Sequence, residues 1–440
     1  MADAQRQRPQ ASLSPHVEPG RAATGGGRNA GAIGSRAMTD QPAEPATKTS
    51  ARSWVGWLVA ASTALVVLLL AQPVGLDLKV YREGARIALQ GGQGLYAPYL
   101  GPVGDPGLPF TYPPFAALLF APLALVPFEA TYVVMTALSV TLIHLVSCRI
   151  MDRLRAAGRF GRVPAWALTP FLLISAPFLD TLTYGQVNVI LLAACYLTAS
   201  QARWPWLFGV AVGVTAGVKL TPLALLLLPL ALWKWRTILV AGATFAGTQL
   251  LGLLVFPAQS VEYWGHVIWD PTRVGATDYI DNLSLRGILE RAGFGFPAWA
   301  VAVGLAIVLA GVAIYRARDQ LPEQSLGFAA GCMLLISPVS WVHHFVWWPV
   351  IASGWAPSDR RATSGSLGAA ALRKIALALL ILPLVASPKI LMKLAGVDET
   401  SIFYIVGVVL SALPAVGILL GTAINAFRPG RGEQPRAEAG

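Results

Sequence analysis

The chain has 440 residues, of which 55% are hydrophobic and 12% charged; Lys and Arg outnumber Asp and Glu by 33 to 22, for a formal net charge of +11. Ordinary soluble domains carry about 25% charged residues, so this chain has too few to cover a water-facing surface, which excludes a soluble nucleotide-binding enzyme. Its basic residues are scattered among loops rather than gathered on one face, so the positive balance is no sign of a nucleic-acid partner.

Residues 1–52 are rich in Ala, Gly, Pro, Ser and Arg with no apolar period, and read as a disordered tail. Met38 offers a second plausible start. The first apolar run, from Trp54 to Ala71, is too long for the core of a cleaved signal peptide. Twelve apolar segments then read as membrane spans, at 53–73, 129–150, 165–182, 187–200, 204–219, 221–235, 238–257, 298–316, 325–338, 341–356, 372–387 and 402–426. The expected fold is therefore all-α, a polytopic integral membrane protein whose transmembrane domain covers 53–426, followed by a short basic tail at 427–440. Cys148, Cys195 and Cys332 fall in apolar segments and read as small buried hydrophobes.

One further apolar piece, 113–127, is short and carries prolines at 113, 114, 122 and 127. Loop charge decides whether it crosses. If it does not, 24 basic residues lie in cytoplasmic segments and nine outside; if it does, the division is 13 against 20. The first arrangement is expected, with both termini cytoplasmic and 113–127 an interfacial or re-entrant element on the outer face. Two long segments, 74–128 and 258–297, then face outward.

The unusual polar clusters fall on that outer side. Asp77 opens an amphipathic stretch, DLKVYREGARIALQ, where a carboxylate at the membrane boundary suits a general base, or else a helix cap. The run Phe110-Thr111-Tyr112-Pro113-Pro114 is rigid and aromatic, and aromatic faces suit sugar rings. In Tyr184-Gly185-Gln186-Val187-Asn188, Gln186 and Asn188 offer amides to sugar hydroxyls, or form a polar turn. Lys219, in Gly217-Val218-Lys219-Leu220-Thr221-Pro222, goes against the charge rule, so it reads as a partner for an anionic phosphate, or as a snorkelling side chain. Arg286, in Asp281-Asn282-Leu283-Ser284-Leu285-Arg286-Gly287, is a candidate phosphate clamp, and Asn282 also opens an Asn-Leu-Ser glycosylation pattern. His343 and His344 close Ser337-Pro338-Val339-Ser340-Trp341-Val342; with no local carboxylate or cysteine they suit phosphate or sugar oxygens at least as well as a metal. No P-loop, dinucleotide fingerprint or acidic metal-nucleotide motif is present. A donor on the outer face is more plausibly a lipid carrying an activated group on phosphate.

Taken together, Asp77 with Tyr81, Gly84 and Ala85, then Leu95-Tyr96, FTYPP at 110–114, YGQVN at 184–188, GVKLTP at 217–222, SLRG at 284–287 and SPVSWVHH at 337–344 resemble glycosyltransferase family 87 of the GT-C superfamily. The resemblance runs from about residue 54 to 425, with Leu283 where a polar Gln is expected. It implies a polyprenyl-phosphate-dependent enzyme of the actinobacterial kind, with inverting transfer of mannose in α-(1→2) linkage to phosphatidylinositol mannoside, lipomannan or lipoarabinomannan acceptors. On that resemblance Asp77 is the general base, and His343 or His344, Lys219 and Arg286 hold the leaving phosphate. Gln186, Asn188 and Tyr112 contact sugars, with Tyr81 and Asn282 as further candidates. No cofactor is expected, though a divalent metal stays open; the expected partners are the lipid-linked donor, a glycolipid acceptor and membrane lipids. An arabinofuranosyltransferase using decaprenyl-phosphate-arabinose fits the same motifs. A transporter fits less well, because the span centres carry no charges and no internal repeat is evident.

Overall fold

The structure, a computed structural model, describes residues 53–71, 74–100, 107–161, 163–201, 205–319, 322–355, 367–385, 387–388 and 402–427. These residues belong to one compact unit, Lys48–Gly440. The tails expected at 1–52 and 427–440 lie outside the described residues, save Phe427.

Among the described residues the regular elements are helices, with one isolated antiparallel bridge between Asn282 and Trp341. Hydrocarbon offers backbone groups no water, and a helix satisfies them internally. In chain order come α1 (Trp54–Ala71), α2 (Leu76–Leu89), α3 (Pro114–Ala124), α4 (Phe128–Ala156), α5 (Leu168–Ile174), α6 (Ala176–Tyr184), α7 (Asn188–Ala199), α8 (Trp206–Val218) and α9 (Leu227–Ala231). The second half holds α10 (Trp235–Val255), α11 (Pro257–Gly265), α12 (Leu285–Arg291), α13 (Phe296–Arg316), α14 (Pro322–Ile336), α15 (Trp348–Gly354), α16 (Leu367–Val385) and α17 (Ile402–Ala426). Single 3₁₀ stretches, Thr221–Leu226 and Val342–Trp347, lead into α9 and α15.

Six of these helices, α1, α4, α10, α13, α16 and α17, are long and apolar enough to cross a bilayer. Their outward faces carry large apolar side chains, such as Leu239 and Leu254 on α10 and Leu305 and Val308 on α13. Patches of that extent would be untenable in water, and they fit a multi-pass membrane protein.

The twelve spans read from the sequence do not emerge as twelve full-length helices. The segment 165–182 is broken at Ser175 into α5 and α6, bent by 69°. The segments 187–200, 204–219, 221–235 and 325–338 form shorter apolar helices, of which α7 has 12 residues and α8 has 13. At about 1.5 Å per residue α7 and α8 reach under 20 Å and the 15-residue α14 about 22 Å, less than the ~30 Å hydrocarbon core. The segment 341–356 is split between a 3₁₀ stretch and α15. The helices stop where the polar motifs stand, at Gly185-Gln186, at Lys219 and at 337–341. The piece 113–127 contains α3, 11 residues packed against α2 and α10.

Close packing fixes where these short helices end. On α8, Gly209, Gly213 and Gly217 recur every fourth residue along the face against α10. A Cβ at Gly209 would lie 2.7 Å from the Thr237 carbonyl, and one at Gly213 would lie 2.7 Å from that of Ala241. Small residues at this spacing let two helix backbones meet in lipid, where no hydrophobic effect drives them together. One apolar cluster joins α6, α7, α8, α14 and α15, and a second is built around α2 and α3 with Tyr81, Phe110 and Phe120. The candidate site lies along the seam between them.

Candidate active site

Asp77 is the second residue of α2. It does not cap the helix: that position belongs to Gly75, in the left-handed region at φ 60, and no side-chain cap bond is made. The Gly75 N–H donates to the Thr183 carbonyl at 2.9 Å, which ties the start of α2 to the end of α6. Gly185 ends α6 at φ 72, and a Cβ there would lie 2.7 Å from that of Leu78. Both glycines let α2 and the turn after α6 approach closely enough for Gln186 to hydrogen-bond the Asp77 carboxylate. Burial pushes the Asp77 carboxyl up to about 6, against the opposing pull of the Gln186 hydrogen bond and the Lys219 ammonium. A carboxylate poised near neutrality is suited to general-base work.

Gln186 organises the wall behind Asp77. Its Oε1 accepts from the Tyr81 hydroxyl at 2.8 Å, and its Nε2 lies 3.3 Å from His343 Nε2. Tyr81 Oη stands 3.1 Å from Tyr112 Oη. Tyr81 is wholly buried and lies behind the cavity wall, so it supports Tyr112 and Gln186 rather than meeting a ligand.

Lys219 follows the last residue of α8, where the helix dipole favours a cation. It is held, not snorkelling: Nζ donates to Asn188 Oδ1 at 3.1 Å and stands 2.7 Å from His344 Nε2. An ammonium has no acceptor, so His344 accepts at Nε2 and keeps its own proton on Nδ1, facing the Val339 carbonyl. Asn188 Nδ2 donates to the His343 carbonyl at 3.1 Å. Asn188 thus fixes Lys219 and the histidine stretch from outside the main cavity. The two imidazoles are perpendicular, with centroids 4.7 Å apart, so one faces Gln186 and the other Lys219.

These groups line a cavity of about 570 Å³, a size usual for small-molecule sites. Asp77, Tyr112, Gln186, Lys219, His343 and His344 share its wall. Aromatic faces from Tyr184, Tyr263, Tyr279 and Trp341 complete it. It therefore offers the carboxylates of Asp77, Asp270 and Asp281, the Lys219 ammonium, the Arg273 guanidinium and several flat apolar faces with polar edges. The ammonium stands on the same wall as Asp77, and the combination suits a sugar joined to a phosphate.

Two expected site residues stand elsewhere. Arg286 on α12 binds Glu290 at 2.7 Å and lies 5.5 Å from the Trp299 ring centroid, away from the cavity wall. Its i,i+4 carboxylate partner takes the guanidinium. Asn282 is fully buried, and its amide is spent on the chain itself: Nδ2 donates to the carbonyls of Thr277 and Pro338, while Oδ1 accepts from the N–H groups of Ser284 and Ser340. It brackets the loop against the 337–341 turn and is closed to both sugar and glycosylation. Leu283 points into the apolar core, which accounts for an apolar residue there.

The cation found in this part of the cavity is Arg273, which the motifs did not single out. Its Nη2 donates to the Tyr96 carbonyl at 2.8 Å, and its Nε has no partner among the described residues. The only sequence sign was a basic residue in an outward-assigned loop, at Pro271-Thr272-Arg273. Among the described residues no group of three or more His, Cys, Asp or Glu side chains is gathered as a metal site.

A family model described as Glycosyltransferase family 87 matches residues 110–338, more than half of the chain. The chain belongs to glycosyltransferase family 87. Among its relatives is a polyprenol-phosphate-mannose-dependent α-(1-2)-phosphatidylinositol pentamannoside mannosyltransferase of Mycolicibacterium smegmatis, 35% identical over 72% of this chain and 78% of the relative. A phosphatidylinositol mannoside mannosyltransferase of Mycobacterium tuberculosis, with the same donor in its name, is 32% identical over 62% of this chain and 68% of its own length. An α-(1->3)-arabinofuranosyltransferase of Mycobacterium tuberculosis is more distant, 26% identical over 44% of each chain. No solved structure matches. In this family-87 chain the matched stretch contains Tyr112, Gln186, Asn188, Lys219 and Arg273, while Asp77 precedes it and His343 and His344 follow it.

Proposed function

We propose that this family-87 enzyme transfers mannose from polyprenyl-phosphate-mannose to a hydroxyl of a phosphatidylinositol mannoside or lipomannan-type acceptor, forming an α-(1→2) linkage with inversion. The observation that carries the reading is the placing of Asp77 and Lys219 on one aromatic-lined cavity of about 570 Å³, in a chain 35% identical to an enzyme named for that donor and linkage.

The chemistry follows from the charges. The acceptor oxygen attacks the anomeric carbon while the bond to the phosphate oxygen breaks, and the phosphate departs with the electron pair. The Asp77 carboxylate takes the acceptor's proton. The phosphodiester carries one negative charge and the departing monoester gains a second, so an ammonium beside it stabilises the transition state more than the bound donor. Lys219 supplies that charge, with Arg273 as the second cation of the cavity wall. Gln186 orients the carboxylate, Asn188 and His344 orient the ammonium, and Tyr112, Tyr184 and Trp341 offer faces to sugars. His343 reaches the cavity beside Gln186 and contacts donor or acceptor oxygens. The donor, the glycolipid acceptor and the surrounding lipids are the partners.

We assign this end of the helical bundle to the extracytoplasmic face, with both termini cytoplasmic, on the division of 24 basic residues against nine. On this assignment α3 lies at the outer interface as an interfacial or re-entrant element.

The test is transfer by the full-length protein in proteoliposomes, with radiolabelled polyprenyl-phosphate-mannose, polyprenyl-phosphate-arabinose, and phosphatidylinositol mannosides as acceptors. Mannose appearing in an α-(1→2) linkage is expected. Transfer of arabinose but not mannose would overturn the donor, and an α-(1→6) product would overturn the linkage.

A further inference from the structure

A second cavity, of about 550 Å³, lies far from the candidate active site. Its walls come from the end of α4, the loop that follows it, the start of α5, α15 and α16 from Ala370 to Ile381. Helix α4 measures the separation. Tyr132 near its start donates to the Leu182 carbonyl beside the site, and Leu154 near its end lines the second cavity. Those 22 residues span about 33 Å of helix, the thickness of a hydrocarbon core.

Most of this cavity is apolar, with Leu154, Phe171, Leu377 and Ile381 among its walls. Its charged groups are all cations, and the one hydroxyl, that of Ser353, donates to the Val350 carbonyl. Arg159, Arg373 and Lys374 line it, and no acidic residue does among the described residues. Neither the Arg159 guanidinium nor the Lys374 ammonium has an ion pair or hydrogen bond among the described residues. Two unpaired cations beside an apolar trough in one cavity call for an anion attached to hydrocarbon.

We infer that this cavity binds an anionic phospholipid from the leaflet opposite the reaction site, with its phosphate among Arg159, Arg373 and Lys374 and an acyl chain along the α4–α16 trough. A free phosphate would satisfy the donors and leave the trough empty. A zwitterionic lipid would fill the trough and bring its own cation against three others. The site is separate from donor and acceptor binding and does not depend on the sugar transferred.

Native mass spectrometry of the full chain tests this, with protein released from micelles containing dioleoylphosphatidylglycerol or dioleoylphosphatidylcholine. One phosphatidylglycerol adduct is expected to survive collision energies that strip phosphatidylcholine. The triple variant Arg159→Gln, Arg373→Gln, Lys374→Gln is expected to lose at least about fivefold of that adduct while keeping basal mannosyl transfer. Ala370→Trp, on a partly exposed wall, fills the trough without touching the cations and is expected to weaken retention similarly. Equal retention of both lipids, or of phosphatidylglycerol by wild type and triple variant, would overturn the inference. Full retention by Ala370→Trp, or displacement of the adduct by millimolar inorganic phosphate alone, would also overturn it.

Discussion

Replacing Asp77 with Asn keeps the shape of the side chain and removes the only carboxylate that Gln186 orients into the cavity. Loss of a general base costs about 10²- to 10⁴-fold in rate, or about 3–5 kcal/mol of transition-state stabilisation at 1.36 kcal/mol per decade. The donor phosphate should bind no worse, since the substitution removes an anion that acts on Lys219. Stability moves the other way. The folded-state pKa of about 6 lies above the ordinary 3.8, so between those values the folded chain holds a proton that the unfolded chain has released. Stability therefore falls as pH rises through that window, and the penalty is complete above it. The displacement from 3.8 to about 6 sets an upper bound of about 3 kcal/mol, which solvent in the cavity reduces to ~1–2 kcal/mol. Asp77→Asn should thus lose turnover and gain stability at pH 7, with an unchanged or lower KM for donor. The assay is transfer from radiolabelled polyprenyl-phosphate-mannose in proteoliposomes, paired with thermal denaturation of the same preparation. Turnover within threefold of wild type would refute the base assignment; equal losses of turnover and stability would make Asp77 a structural residue.

The same carboxylate sets the acid side of a pH profile: with a pKa of about 6, kcat/KM should be about tenfold lower at pH 5 than at pH 7 and should fall again above pH 8, where Lys219, lowered by burial to about 8, loses its charge; a profile flat to pH 5 would contradict the base. Lys219→Met removes a charge-assisted hydrogen bond to phosphate worth about 1.5–3 kcal/mol, so kcat/KM for donor should fall about 10- to 150-fold, with partial recovery in Lys219→Arg. Arg273→Gln should lower donor turnover at least fivefold (the order of a weakened charge-assisted contact), while Arg286→Gln, which breaks only a partly exposed pair with Glu290, should stay within about twofold; the reverse ranking would return the phosphate to Arg286. Gly185→Ala forces a side chain into the left-handed region at φ 72 and sets its Cβ 2.7 Å from that of Leu78, so it should cost about 1–2 kcal/mol for the backbone alone and reduce transfer through the displaced Gln186, as denaturation midpoints and initial rates would report.

The amino-acid sequence by itself determined the membrane character, the helical class and the family. Those properties rest on composition, on apolar runs and on short motifs, all local along the chain. It also marked the types of residue that meet at the cavity, because a lone lysine at 219 or a histidine pair at 343–344 stands out in apolar surroundings. The number of full-length spans was not legible, since a break at Ser175 or at Lys219 depends on what the neighbouring helices pack against. Roles within the candidate site were equally out of reach. Asn188, Asn282 and Arg286 carry the same polar groups as true cavity residues. Only the fold shows that Asn282 spends its amide on Thr277, Pro338, Ser284 and Ser340, that Glu290 takes Arg286, and that Asn188 holds Lys219 from behind. Arg273 shows the converse, an unremarked loop residue carried into the cavity wall. A side chain's chemistry is a property of the residue, whereas its free donors and acceptors are what remain after distant parts of the chain have taken theirs, and that remainder exists only once the helices have packed.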